Sequence, residues 1–232
     1  MKGKFPEWLK KRLPTQDKWV TVEETLADLS LNTVCRSAQC PNQGECFSNN
    51  TATFMILGEN CSRNCRFCAV NSAKPEQVDP MEPAHLAEAV KRLNLKYVVI
   101  TSVTRDDLQD GGVSQFIKVV KEVKKISADI KIELLTPDFQ GKIEILKKLA
   151  GSDFEVFNHN VETIPRLYSS VRPEADYQQS LFVLEKMKEL KPALYTKSGI
   201  MVGLGEKKDE VVELMKDLRE KDVEILTIGQ YL

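Results

Sequence analysis

From residue 51 onward the chain alternates two hydrophobic rhythms. Short β-branched and aromatic runs predict strands at 51–58 (TATFMILG), 96–102 (KYVVITS), 131–137 (KIELLTP), 154–160 (FEVFNHN), 195–204 (YTKSGIMVGL) and 223–232 (VEILTIGQYL). Between them, apolar residues return at helical spacing over 83–95, 113–126, 142–151, 177–190 and 208–221; in the first of these, Leu86, Ala89, Val90 and Leu93 share a face. Strands separated by helices of this length predict right-handed crossovers and a parallel sheet. Apolar strands under such helices fit a sheet buried on both faces.

No glycine-rich phosphate loop follows the first strand. Polar residues gather instead at the C-terminal ends of successive strands: Thr101 and Ser102, Asp138, Asn158 and Asn160, Glu206. Active-site groups of β/α barrels collect at that rim. The expected fold is therefore α/β, a partial barrel of six β/α units spanning 51–232, because eight strands do not fit. Residues 1–50 read differently. They are rich in Pro, Asn, Gln and Cys, with one short helix predicted at 21–30 (TVEETLADLS), and form an irregular N-terminal extension.

Charge narrows the class of partner. The formal net charge is −1, with 33 basic and 34 acidic residues, so there is no global bias toward nucleic acid or anionic lipid. Lys10, Lys11 and Arg12 form a small basic cluster that reads first as a solvated tail. The opening residues lack the apolar core of a signal peptide, and no run reaches transmembrane length. The expectation is a soluble, cytoplasmic protein with neither membrane nor nucleic-acid partner.

All six cysteines lie between residues 35 and 68, in two triplets. This is not a small secreted domain, so metal or redox chemistry is expected rather than a disulfide framework. The rear triplet is Cys61-x3-Cys65-x2-Cys68, in the loop after the first strand, where Phe67 can shield it. Three thiolates on a four-iron cluster leave one iron open; on zinc they would make an open catalytic site. The front triplet is Cys35-x4-Cys40-x5-Cys46, in irregular sequence. Either set alone is ambiguous with zinc. Two three-ligand sets beside a β/α barrel favour a pair of iron–sulfur clusters.

At this point the chain resembles the radical S-adenosylmethionine superfamily, through CxxxCxxC after the first barrel strand. The additional front triplet resembles the lipoyl synthase family in particular. The likeness runs through TVCRSAQCPNQGECF, TATFMILG, CRFCAV, YVVITSV, RDDLQDGG, PDF, FNHNVET, KSGIMVGLGE and TIGQYL, almost the whole chain. It implies two 4Fe–4S clusters, one on Cys61, Cys65 and Cys68 and an auxiliary one on Cys35, Cys40 and Cys46. It implies that S-adenosylmethionine chelates the open iron, is cleaved by one electron and yields a 5′-deoxyadenosyl radical. That radical would activate C6 and C8 of an octanoyl chain on a carrier lysine, the auxiliary cluster supplying both sulfurs. The implied partners are an octanoylated lipoyl-carrier domain or H-protein, and an electron donor such as flavodoxin or ferredoxin. Lys10, Lys11 and Arg12 would then suit an acidic carrier.

The resemblance also suggests where S-adenosylmethionine sits. TSVTRDDLQDGG occupies the place of the methionine-amino segment of related enzymes without its Gly-Gly-Glu form, making Thr101, Ser102 and Asp107 the candidates; Asp110 is either a ligand or a helix cap. Gly199, Gly203 and Glu206 match the adenine-contact pattern of the fifth strand, where glycines permit close backbone approach. Strand alternation groups Glu133 with Leu135, and Asn158 with Asn160; facing inward, Glu133 and the asparagines would meet ribose or methionine groups, and Lys197 the methionine carboxylate. His85 is expected to face solvent, His159 to turn away from the asparagines into a structural role, and Arg105 to pair with its acidic neighbours. In the family a further C-terminal segment carries an RSSY motif whose serine completes the auxiliary cluster. The sequence stops at TIGQYL, so the expectations are a front site with three protein ligands and apolar surface left open on the sixth strand. The alternatives are another sulfur-inserting radical enzyme, or a non-catalytic zinc or electron-transfer module.

Overall fold

A computed structural model describes residues 16–37, 40, 43–48 and 52–231 of the chain. The elements, in order, are α1 (Gln16–Asp28), β1 (Asn32–Thr33), α2 (Val34–Ser37), α3 (Gln43–Ser48), β2 (Thr53–Ile56), β3 (Asn60–Cys61), β4 (Asn71–Ser72), α4 (Glu82–Arg92), β5 (Tyr97–Ser102), α5 (Val113–Ile126), β6 (Lys131–Leu135), α6 (Ile143–Ala150), β7 (Val156–Asn158), α7 (Tyr168–Val171), α8 (Tyr177–Leu190), β8 (Tyr195–Val202), α9 (Lys208–Glu220) and β9 (Ile225–Gln230). The main sheet has the order β1-β2-β5-β6-β7-β8-β9. From β2 to β9 every pairing is parallel and sequential, with α4, α5, α6, α8 and α9 in the crossovers; this is the six-unit partial barrel.

Alternation divides the strands into two faces. Phe54, Ile56, Val98, Ile100, Ile132, Leu134 and Phe157 are fully buried, and the helices close over them with Leu86, Val90, Phe116, Val120, Leu146 and Leu184. The register aligns the other face in rows. Met55, Thr101, Leu135, Asn158 and Lys197 stand side by side across five strands, above a row of Thr53, Val99, Glu133, Val156 and Tyr195. This inner face is where the polar side chains collect.

The described part of the N-terminal extension is built onto the sheet's first edge. β1 pairs antiparallel with β2. Val22, Leu26, Leu29, Leu31, Cys35 and Phe47 join the core cluster that the barrel contributes to. The first helix begins earlier than the apolar pattern suggests and ends at Asp28, because Ser30 turns left-handed (φ 52°) and Leu31 N–H bonds back to Leu26 O at 2.9 Å. At the opposite edge β9 is largely exposed, with Ile228 half in solvent.

Candidate active site

The rear cysteine loop leaves β2 through a tightly held turn. Leu57 (φ 71°) and Gly58 (φ 95°) are both left-handed. Buried Glu82 accepts the Leu57 N–H at 2.9 Å, and Arg105 donates to the Leu57 carbonyl at 3.1 Å. The loop then closes on itself where β3 pairs with β4, so residues 61 to 71 form a clipped excursion. Ser62 N–H bonds to Thr104 O at 3.0 Å and Arg66 N–H to Val171 O at 2.9 Å, tying the loop to the segments after β5 and β7. Cys61 Sγ accepts the Thr104 N–H at 3.3 Å.

Between Cys61 and Cys65 lies a residue that the cysteine spacing does not flag. Arg63 is buried, and its guanidinium grips two carboxylates. Nε and Nη2 donate to Asp106 at 2.6 and 3.1 Å, and Nη1 and Nη2 to Asp138 at 2.8 Å each. Asp138 also accepts from Gln179 Nε2 and the Gln140 N–H. Burial alone would raise the Asp138 carboxyl, but the bonds and charge of Arg63 hold it well below the usual carboxylate range.

Arg172 approaches the loop from the segment after α7. It is buried, donates to Asn160 O at 2.9 Å and to Tyr168 Oη at 3.1 Å, and its side chain also hydrogen-bonds Cys65. Burial raises the Cys65 thiol, and the Arg172 charge opposes that rise. Glu162, left-handed at φ 64°, faces the same cation; burial pushes its carboxyl up against the pull of Arg172 and a hydrogen bond from Asn160. Neither Arg172 nor Glu162 carries a sequence signal beyond the tail of FNHNVET.

On the inner face the structure brings Glu133, Asn158 and Lys197 together. Glu133 accepts from Asn158 Nδ2 at 2.8 Å, Lys197 Nζ at 2.8 Å and Tyr97 Oη at 2.6 Å. The charge of Lys197, expected to meet a methionine carboxylate, is paired here with Glu133, whose carboxylate takes three protein donors. What remains without a partner is informative. Ser102 Oγ, Asn158 Oδ1, Asn160 Oδ1, Thr136 Oγ1, Thr163 Oγ1, His159 Nε2 and Arg172 Nε are all buried and unbonded. Buried polar atoms normally find partners, so a row of orphans at strand ends marks a surface shaped for a polar ligand. His159 is only half satisfied: Nδ1 bonds Thr136 O at 2.9 Å, while burial, then Arg172, depress its pKa to about 4. Neutral at ordinary pH, it donates from Nδ1 and leaves Nε2 an acceptor.

The remaining candidates divide. Thr101 is buried in the inner-face row beside Leu135. Gly199 is required by its surroundings, since a Cβ there would lie 2.7 Å from Asn160 Oδ1 and 2.9 Å from Thr227 Oγ1. Asp107 is occupied by Arg105, in two bonds of 2.9 Å. Asp110 caps α5, accepting from the Gly112 and Ser114 N–H groups at 3.0 Å each. Glu206 accepts from the Gly203 and Leu204 N–H groups and closes the turn after β8, so its carboxylate serves the loop. His85 is half-buried in the first turn of α4. In the front triplet Cys35 is buried in α2, Cys40 donates its N–H to Cys35 O at 3.0 Å, and Cys46 lies on α3; no disulfide joins any of the six cysteines. Lys10, Lys11 and Arg12 lie outside the described residues.

Among the described residues no three His, Cys, Asp or Glu side chains close on a single metal ion. Thiolates on separate corners of a cluster stand farther apart than thiolates on one ion, so fit rests on the donor set and its surroundings. Three thiols in one anchored loop, a cation beside Cys65 and the orphaned acceptors nearby fit a three-thiolate cluster with a polar ligand at its open corner.

Comparison with known proteins agrees with this geometry. Residues 55–218 match the family model of the Radical SAM superfamily. A lipoyl synthase of Caldanaerobacter subterraneus subsp. tengcongensis is 56% identical over 227 residues, covering 98% of this chain and 79% of the relative. One from Neisseria meningitidis serogroup C is 51% identical, covering 100% of this chain and 72% of the relative. Among solved structures, the maturase HydG superposes with a TM-score of 0.62 at 15% identity, over 94% of this chain and 55% of that one. Methylornithine synthase does so with a TM-score of 0.60 at 16% identity, over 93% and 67%. Those likenesses are of fold. The sequence identities go further: the chain belongs to the lipoyl synthase family of radical S-adenosylmethionine enzymes.

Proposed function

We propose that this sulfurtransferase inserts sulfur at C6 and C8 of an octanoyl chain carried on a protein lysine, forming the lipoyl group. In this reading Cys61, Cys65 and Cys68 hold the 4Fe–4S cluster that engages S-adenosylmethionine, and Cys35, Cys40 and Cys46 hold an auxiliary 4Fe–4S cluster. When bound, these groups supply one-electron cleavage of the sulfonium, hydrogen abstraction from unactivated carbon and the sulfur atoms. The observation that carries the reading is the anchored three-thiol loop, tied through Thr104 and Arg172 to the segments that follow β5 and β7, where Ser102, Asn158 and Asn160 carry buried, unpartnered oxygens.

The chain's own residues bind, orient and exclude water. The unpartnered oxygens of Asn158 and Asn160 accept hydrogen bonds from ribose hydroxyls or the methionine ammonium, with Thr101 and Ser102 beside them. The free Nε of Arg172 suits a carboxylate better than Lys197 does, because Lys197 is matched by Glu133. Gly199 and Gly203 keep β8 free of side chains where Asn160, Thr227 and Gln230 pack closely against it, so an adenine there would meet those side chains and the strand backbone. The partners are an octanoylated lipoyl-carrier domain or H-protein, met in part through Lys10, Lys11 and Arg12, and a reductant such as flavodoxin or ferredoxin. No helix among the described residues is long and apolar enough to cross a membrane, and a cytoplasmic site of action fits the oxygen-sensitive groups proposed.

Anaerobic reconstitution tests the proposal. The full chain is expected to take up about eight irons, falling to about four in Cys65→Ala or Cys40→Ala. With a strong reductant it should release 5′-deoxyadenosine from S-adenosylmethionine, and an octanoyl-lysyl carrier peptide should gain two sulfurs. Zinc without iron or sulfide would overturn the reading in favour of a metal-stabilised module. Cleavage without thiolation of the octanoyl peptide would point to a different carbon acceptor.

A further inference from the structure

The strongest feature outside the thiols themselves is the buried cation inside their loop. Arg63 is two residues from Cys61 and from Cys65, yet it points away from both into the protein. It makes four hydrogen bonds to two carboxylates on different crossovers: Asp106 in the segment after β5, and Asp138 in the segment after β6. Asp138 is fully buried and further fixed by Gln179 from α8. Asp106 is itself held, its N–H bonded to Ser62 Oγ at 3.0 Å and its Oδ1 to Gln140 Nε2 at 3.1 Å. One guanidinium thus joins the cysteine loop to three consecutive β/α units. A surface ion pair would do little of this, but a planar fork bound twice on each side fixes both the position and the tilt of its backbone.

We infer that Arg63 is a positioning residue that sets the Cys61–Cys65 turn through Asp106 and Asp138, so that the three thiols are presented together before any cluster arrives. The inference rests on the reading that this triplet holds the S-adenosylmethionine-binding cluster. It goes beyond that reading in giving the non-cysteine residue that orders the loop. Lysine cannot replace it, because a single ammonium cannot bridge both carboxylates with paired bonds.

The test uses the full chain in cluster-free and reconstituted forms, comparing wild type with Arg63→Lys and with the milder Asp106→Asn, which removes the charge of one arm only. In cluster-free protein, amide hydrogen exchange over residues 61–68 should quicken about tenfold in Arg63→Lys and less in Asp106→Asn, while exchange in α5 and α8 stays at the wild-type rate. After reconstitution, Arg63→Lys should hold less iron on the rear triplet. Its reduced electron paramagnetic resonance spectrum should broaden and respond only partly to S-adenosylmethionine. Loop exchange and spectra identical to wild type would overturn the inference. So would exchange that rises equally throughout the protein, which is the mark of a merely structural ion pair. Failure of the wild type to hold iron on Cys61, Cys65 and Cys68 would count against the cluster reading, while the exchange measurement would still decide whether Arg63 orders the loop.

Discussion

His159 shows how one buried side chain can set the acid limit of the fold. Its imidazole titrates near 6.5 when unfolded and at about 4 in place. Between those values the unfolded chain binds the proton and the folded one does not, so stability falls as pH drops from about 6.5 to about 4. The loss attributable to this residue is about 3 kcal/mol. In His159→Gln, whose amide can still donate to the Thr136 carbonyl, urea midpoints should change much less across that window. An equally steep acid limb in the variant would assign the loss elsewhere. Alternation turns His159 off the asparagine face, as the sequence implies, but its orphaned Nε2 is visible only in three dimensions.

At the scale of elements, the junction between β2 and the cysteine loop depends on α4. Glu82 accepts from the Leu57 N–H and from Gln115 Nε2, joining strand, α4 and α5 at one carboxylate. Glu82→Ala leaves the buried Leu57 N–H without a partner and leaves Gln115 Nε2 only the Asp79 carbonyl. The expected cost is about 2 kcal/mol in chemical denaturation, with faster exchange at Leu57; an unchanged midpoint would mean that water replaces the carboxylate without penalty. The sequence disclosed this region unevenly. α5 and α8 are found at the bounds their periodicity predicts, 113–126 and 177–190, since their apolar stripes mark the helices and Asp110 and Asp176 cap their starts locally. The cysteine triplets were legible because thiol spacing is chemistry written locally. Arg63, Glu82 and Arg172 were not, because the partner that ties each to the site, Asp138, Leu57 and Cys65 respectively, is distant in sequence and no local pattern records it. Asp107 and Glu206 looked like ligand groups for the opposite reason: their composition is right, but near neighbours take up their oxygens.

For the whole molecule, the N-terminal extension and the barrel share one hydrophobic core over the described residues. Phe47 is fully buried and belongs to the same core cluster as Phe54 and Leu86. Phe47→Ala should cost about 3–5 kcal/mol and lower a single transition seen alike by circular dichroism and by hydrogen exchange in α5. A separate early transition limited to the first 50 residues would reveal two bodies instead. The rear cysteine loop is fastened to the barrel through Arg63, Ser62 and Arg66. A substitution far from the cysteines that breaks one of these ties is therefore expected to act on the thiols as a ligand mutation would.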